Sequence, residues 1–141
     1  MNFFKRLFKA EPKIKASHPS LEHEPPYTLG EKQKIFTRLL AELIKYAYDE
    51  GYELTLAEAF RTKEQAELNA KRGIGIRNSL HRKRLAIDLN LFRNGAYLSS
   101  TNAHKSLGEF WESLSTPGLN CCWGGRFNDG GHYSIQHGRV K

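Results

Sequence analysis

The 141-residue chain has two cysteines, one methionine and five prolines. It has no apolar run long enough to span a bilayer. The cysteines, Cys121 and Cys122, are adjacent, and neighbouring thiols rarely close a normal disulfide because the geometry is strained. No CxxC pair exists, so thiolate zinc is not supported and nothing asks for an oxidising compartment. Both cysteines read as small residues in or near a core. The N-terminal "MNFFKRLFKAEPKIK" lacks the apolar core and cleavage site of a signal peptide. It reads as a basic tail, with a short amphipathic segment touching a membrane as the alternative. Acidic residues are outnumbered, and the formal net charge is +7. That excess fits an anionic partner (nucleic acid, a membrane surface or a bacterial cell wall) and does not choose among them. At 39% apolar and 26% charged, the chain can still build the core of one ordinary domain.

Four of the five prolines fall in residues 10–26, where hydrophobic periodicity is weak. Residues 1–26 therefore read as a basic tail and Pro-rich linker, with His18 and His23 solvated, and residues 27–141 as the folded domain. Glu31 to Glu50 carries one apolar stripe of Ile35, Phe36, Leu39, Leu40, Leu43, Ile44 and Ala47, which predicts a helix ending at Gly51. Tyr52, Leu54 and Leu56 alternate as a strand. Thr62 and Gln65 form a capping box opening a helix to about Lys71. "RGIGIRNS" reads as a loop. Leu85, Ile87, Leu89 and Leu91 alternate with Ala86, Asp88, Asn90 and Phe92, which predicts a strand, and Asn94-Gly95 signals a hairpin after it. Thr101 or Asn102 caps a third helix bearing Leu107, Phe110, Trp111 and Leu114. A short strand at "HYSIQ" follows a Gly-rich turn. This order predicts an α+β fold with a small antiparallel sheet flanked by helices.

Asp88 is a carboxylate inside an apolar strand, and strand parity points it away from the leucine face. His81 stands just ahead of that strand, close enough in sequence to converge with Asp88 on one ion. In "FNDGGHYS", Asp129 and His132 flank two glycines, and His132 begins the last strand. His81, Asp88 and His132 make a two-His, one-carboxylate set, which suits a catalytic zinc with a position left for water. Asp129, three residues before His132, is the candidate general base. Spacing alone leaves another reading open, in which His81 binds backbone, Asp88 pairs with an arginine and Asp129 is a turn residue. Trp123 reads as structural, His104 and His137 as surface residues. Arg72, Arg77, Arg82, Lys83 and Arg84 form a basic patch beside the proposed site, either a solvated face or a contact for anionic wall polymers.

"SLHRKRLAID" resembles the Ser-x-His, x-Ala-x-Asp signature of the D-alanyl-D-alanine carboxypeptidase superfamily of zinc peptidases. "WGGRFNDGGH" resembles its Trp-Gly-Gly, Asp-x-x-His signature, and "AFRTKEQAEL" its Arg-containing segment. The three come in the family's order and span Phe60 to Tyr133. The compact size is similar to that of phage endolysins acting as L-alanyl-D-glutamate peptidases. The resemblance implies the small α+β fold shared with the Hedgehog signalling domain, with His81, Asp88 and His132 as zinc ligands and Asp129 as base. It implies that Arg61 binds substrate or steadies the oxyanion and that Ser79 lies near the substrate's carboxylate. One departure stands out: Arg84 occupies a position where many relatives have glycine, which there permits an unusual backbone angle or a close approach. Arg84 is expected to add positive charge at the cleft rim and to bear on substrate preference.

The expected function is a zinc metallopeptidase hydrolysing stem peptides of bacterial peptidoglycan. The expected setting is phage or prophage lysis, with accumulation in the host cytoplasm before action on periplasmic or wall peptidoglycan. A monomer is expected. The rivals are a D-Ala-D-Ala carboxypeptidase for wall remodelling, a Hedgehog-like domain keeping zinc without hydrolysis, and a non-catalytic module binding cell wall or nucleic acid. Asp129 argues against the zinc-only domain. Nucleic-acid binding would leave the His-Asp-His set unexplained.

Overall fold

A computed structural model describes residues 27–141; the tail and Pro-rich linker expected for residues 1–26, with His18 and His23, lie outside the described residues. The first helix, α1 (Leu29–Asp49), starts two residues earlier than its apolar stripe predicts. Thr28 and Glu31 explain this: the Thr28 hydroxyl accepts from the Glu31 amide, and the Glu31 carboxylate accepts from the Thr28 amide, at 3.3 and 2.7 Å. Gly51, at φ 82°, follows the helix where only a glycine takes a left-handed angle cheaply. Strand β1 (Glu53–Leu56) leads to α2 (Lys63–Lys71), which Thr62 caps through the Gln65 amide at 3.1 Å. The expected reciprocal half of that box is replaced: the Gln65 side chain donates to Asn69 instead.

A short 3₁₀ turn (Leu80–Lys83) delivers the chain into β2 (Ala86–Arg93), and Asn94-Gly95 turns it into β3 (Ala96–Tyr97). Both turn residues have positive φ, as a two-residue hairpin turn requires. Helix α3 (Lys105–Ser113) differs from expectation at its start. Neither Thr101 nor Asn102 caps it; a 3₁₀ turn (Asn102–His104) precedes it, and the Ser100 hydroxyl takes the Ala103 amide. The chain ends in β4 (Cys121–Trp123), a 3₁₀ turn (Gly124–Phe127) and β5 (His132–Ile135).

The sheet is antiparallel in the order β1-β2-β5-β4, with β3 pairing the far end of β2. The α+β architecture expected from the sequence is the one observed. Leu85, Ile87, Leu89 and Leu91 are buried on one face of the sheet against α1 and α3. Trp111 of α3 is fully buried between Phe36 and Tyr133, edge-on to both rings, and its indole N–H donates to the Ser134 carbonyl at 3.0 Å. Tyr46 stacks on Phe110 and ties α1 to α3. Cys121 is buried and Cys122 half-buried, both free. Burial pushes the Cys121 thiol up to about 11, which leaves it inert.

Two readings of minor residues change. His104 is buried at 4% exposure, with its Nδ1 2.9 Å from the Tyr133 hydroxyl. The surface assignment failed because His104 precedes α3, where the helical pattern does not apply, and its partner comes from β5. His137 is half-buried beside the Lys32 and Lys83 ammonium groups, and burial together with these charges lowers its pKa.

Candidate metal centre

Register brings the site together. Asp88 of β2 pairs directly with His132 of β5, so the two side chains leave the same sheet face side by side. His132 Nδ1 lies 3.0 Å from Asp88 Oδ1. His81 reaches the same oxygen from the 3₁₀ turn, with Nε2 at 3.3 Å. The two imidazoles meet edge to face with centroids 5.1 Å apart. Asp88 is 30% exposed while the leucines beside it on β2 are buried, so the parity argument places it correctly.

The turn that carries His81 is closed at both ends. Ser79 Oγ accepts from the His81 amide at 3.2 Å. Arg84 closes the other end at φ 54°, a left-handed angle, with its amide directed at the Leu80 and His81 carbonyls. The backbone angle that a glycine would permit is thus the one observed, adopted by an arginine. The Arg84 guanidinium stacks over the Phe60 ring, 4.1 Å from its centroid, and does not line the cavity at the His-Asp-His group.

The segment from Ala57 to Arg61 straps the centre from the β1 side. The Ala57 amide donates to the Asp88 carbonyl at 2.9 Å, and the Asp88 amide to the Glu58 carbonyl at 2.8 Å. His81 Nδ1 donates to the Ala59 carbonyl at 3.0 Å, since a carbonyl can only accept, and the Arg61 amide donates to the His81 carbonyl at 3.2 Å. The Ala59 bond fixes the His81 tautomer and leaves Nε2 facing Asp88.

This geometry also tests whether the residues fit a metal. With the Nδ1 proton committed to Ala59, a neutral His81 turns the lone pair of Nε2 towards an anionic oxygen 3.3 Å away. Two acceptors at that distance need a positive centre between them, either a second proton or a cation. The ligand atoms of His81, Asp88 and His132 all lie within 4.8 Å of one another, so the set could hold a metal ion. Its two nitrogens and one oxygen match a three-ligand catalytic site. Burial opposes charge on Asp88, yet the hydrogen bonds from His132 and His81 outweigh it and hold the carboxyl well below the usual carboxylate range. Burial likewise opposes charge on His81, and the bonds to Asp88 and Ala59 outweigh it, raising its pKa.

A cavity of about 360 Å³ opens over these residues and includes Arg61, Ser79 and Asp129 in its walls. Asp129 is exposed; its backbone closes the glycine turn, accepting from the His132 amide at 3.1 Å. Asp129 thus shapes a turn, as one reading expects, and it also lines the cavity. Arg61 Nη1 donates to Ser79 Oγ at 3.2 Å. The Glu58 carboxylate takes Arg61 Nε and Nη2 and raises the guanidinium's already high pKa. Sequence reasoning missed Glu58; its only signal was an acid three residues before Arg61 in an Ala-rich stretch. It also missed the rim, where Ile74, Ile76 and Phe127 are exposed and Lys141 adds a cation.

The glycines of "WGGRFNDGGH" are places of close approach. Trp123 is buried with its indole N–H on the Gly130 carbonyl at 2.8 Å, as its structural reading requires. Gly108 and Gly125 lie so close to that ring that a Cβ on either would fall 2.0–2.5 Å from indole carbons. At Gly124 a Cβ would sit 2.3 Å from the Asp129 carbonyl oxygen and 2.7 Å from His132 Cβ.

No family model matches the chain, and no curated protein matches it. A solved structure does. The chain shares its fold with the L-Ala D-Glu endopeptidase ChiX of Serratia marcescens. The superposition covers 82% of this chain and 92% of that one with a TM-score of 0.56, at 14% identity. At that identity the likeness speaks for the fold, and it does so over most of both chains. It does not extend to the carboxypeptidase–Hedgehog superfamily as such.

Proposed function

We propose that this chain is a zinc-dependent peptidase acting on the stem peptides of bacterial peptidoglycan, of the L-Ala–D-Glu endopeptidase type. The observation that carries it is the convergence of His81, Asp88 and His132 at the floor of a cavity that also holds Asp129, Arg61 and Ser79. The fold shared with an L-Ala D-Glu endopeptidase supports the substrate class. A zinc ion held by the three ligands would polarise the scissile carbonyl and acidify an attacking water.

The chain's own residues account for the remaining work. Asp129, exposed in the cavity wall, takes the proton of the attacking water and returns it to the leaving amine. Arg61, in the cavity wall with Nη1 beside Ser79, supplies N–H donors to the carbonyl oxygen as it gains negative charge. Ser79 Oγ accepts from both Arg61 and the His81 amide, so its own proton is available to a substrate oxygen. Phage or prophage lysis, with the enzyme held in the host cytoplasm until it reaches the wall, rests on the family resemblance and the positive charge.

Digestion of purified peptidoglycan with mass spectrometry of the fragments tests the reading. Release of peptides at the L-Ala–D-Glu bond is expected. Cleavage at D-Ala–D-Ala would assign the carboxypeptidase alternative, and no release from any wall type with metal bound would refute the peptidase. Asp129→Asn should lower turnover about 10²–10⁴-fold with fold and metal content kept.

A further inference from the structure

The loop joining α2 to the 3₁₀ turn supplies no residue to the proposed chemistry. It reads "RGIGIRN", and its two isoleucines stand in water. Ile74 is 70% exposed and Ile76 57%, and among the described residues Ile74 is the most exposed large apolar side chain. The loop is held in place at both ends. The Ile74 amide donates to the Asn69 carbonyl at 3.0 Å, and Arg82 Nη1 donates to the Arg77 carbonyl at 2.7 Å. Gly75 lies so near α2 that a Cβ there would fall 3.2 Å from Asn69 Cβ. Phe127 is exposed too and lines the same cavity as both isoleucines, so three large apolar side chains stand around one mouth. A single exposed apolar residue needs no explanation, whereas a group of them on a fixed rim marks a contact surface.

The charge around this loop has one sign. From Leu68 to Ile87 the chain carries Lys71, Arg72, Arg77, Arg82, Lys83 and Arg84 and no acid. The acids that bound this run are engaged elsewhere: Glu67 faces Lys63 at 3.9 Å, and Asp88 belongs to the His-Asp-His group. Arg72 and Arg77 flank the isoleucines and are exposed. We propose that residues 72–77 form a membrane-docking loop, which inserts Ile74 and Ile76 into an anionic phospholipid bilayer while Arg72 and Arg77 meet headgroup phosphates. Apolar tips between cations match such a surface, which offers hydrocarbon beneath a layer of negative charge. A water-soluble polyanion would take up the cations and leave the isoleucines in water. A second copy of this chain would bring like charges together. Docking brings the cavity mouth to the lipid surface, since both isoleucines line it.

Ile74→Trp in the full chain tests the proposal, because the native Trp111 and Trp123 are buried and give a constant background. The vesicles hold equal parts phosphatidylglycerol and phosphatidylcholine. On them the new indole should shift its emission to the blue and be quenched by lipids brominated in the acyl chain; on phosphatidylcholine alone it should do neither. Tyr97→Trp places an indole on the exposed β2–β3 hairpin, at the far end of β2, and its emission should not move. Adding Arg72→Gln and Arg77→Gln to the Ile74→Trp chain should weaken vesicle affinity about tenfold. Vesicle binding with the indole at position 74 unquenched would overturn the proposal in favour of adsorption by charge or by residues 1–26. So would equal quenching at positions 74 and 97, no binding at all, or an affinity that neither the arginine pair nor the anionic lipid alters. No readout involves turnover, so the outcome is independent of the peptidase reading.

Discussion

Replacing Arg84 by glycine should leave stability within about 1 kcal/mol of the parent, although it deletes an aromatic contact. Arg84 sits at φ 54° and closes the turn that presents His81. A non-glycine residue at such an angle costs roughly 1–2 kcal/mol, which glycine recovers. Against that stand the loss of the Phe60 stacking, about 0.5–1 kcal/mol at an exposed site, and the greater freedom of glycine in the unfolded chain, about 0.4–1 kcal/mol. The opposing contributions nearly cancel. Alanine gives a different sum: it keeps the backbone cost and loses the stacking, so it should destabilise by about 0.5–1 kcal/mol. Valine, whose branched Cβ makes the left-handed angle a true outlier, should cost about 1 kcal/mol more than alanine. Urea unfolding of the three variants gives the order glycine, alanine, valine. A glycine variant destabilised by more than about 2 kcal/mol, or a valine variant equal to it, would show that backbone strain at residue 84 is not what the arginine carries.

Further outcomes follow from the same contacts. Zinc at about 100 times its dissociation constant should raise unfolding free energy by about 2.7 kcal/mol. His81→Ala should abolish that increment, and a full increment in the variant would remove His81 from the ligand set. Gly124→Ala should cost about 3 kcal/mol or more in thermal unfolding, because its Cβ would meet the Asp129 carbonyl and His132; a near-neutral result would mean the turn yields easily. Burial lowers the pKa of His104, so the folded state binds its proton less readily than the unfolded chain. The stability this contributes is complete above the ordinary histidine range near 6.5 and is lost as pH falls through it. His104→Gln should flatten the decline of stability on acidification, by at most about 1.4 kcal/mol per pH unit, and an unaltered slope would contradict the assignment.

The sequence made some of this legible and concealed the rest, for physical reasons. The parity of β2 was enough to turn Asp88 out of the core, because side-chain direction alternates strictly along a strand. The Trp-Gly-Gly and Asp-x-x-His spacings were readable because the turn they form is local. Arg84 pointed to an unusual backbone angle as a departure from glycine; its stacking on Phe60 had no local pattern to betray it. Glu58 pairs with Arg61 only three residues away, but the Ala57–Arg61 strap and the His104–Tyr133 contact depend on which segments meet across the sheet. Nothing in the spacing of "EAFR" or "NAH" reports a partner dozens of residues away.

The strap also has a kinetic meaning. Four links, from Ala57 and Glu58 to Asp88 and from Ala59 and Arg61 to His81, come from the one segment that follows edge strand β1. If that edge lifts, Asp88 and His81 lose their backbone anchors while Arg61 and Glu58 depart together. The centre then opens as one cooperative unit, and the amides of Ala57, Arg61 and Asp88 should exchange with solvent deuterium at a common rate. Bound metal should slow all three by the same factor, so the free energy of metal capture can be read from backbone amides, two of them in a segment that supplies none of the proposed ligands.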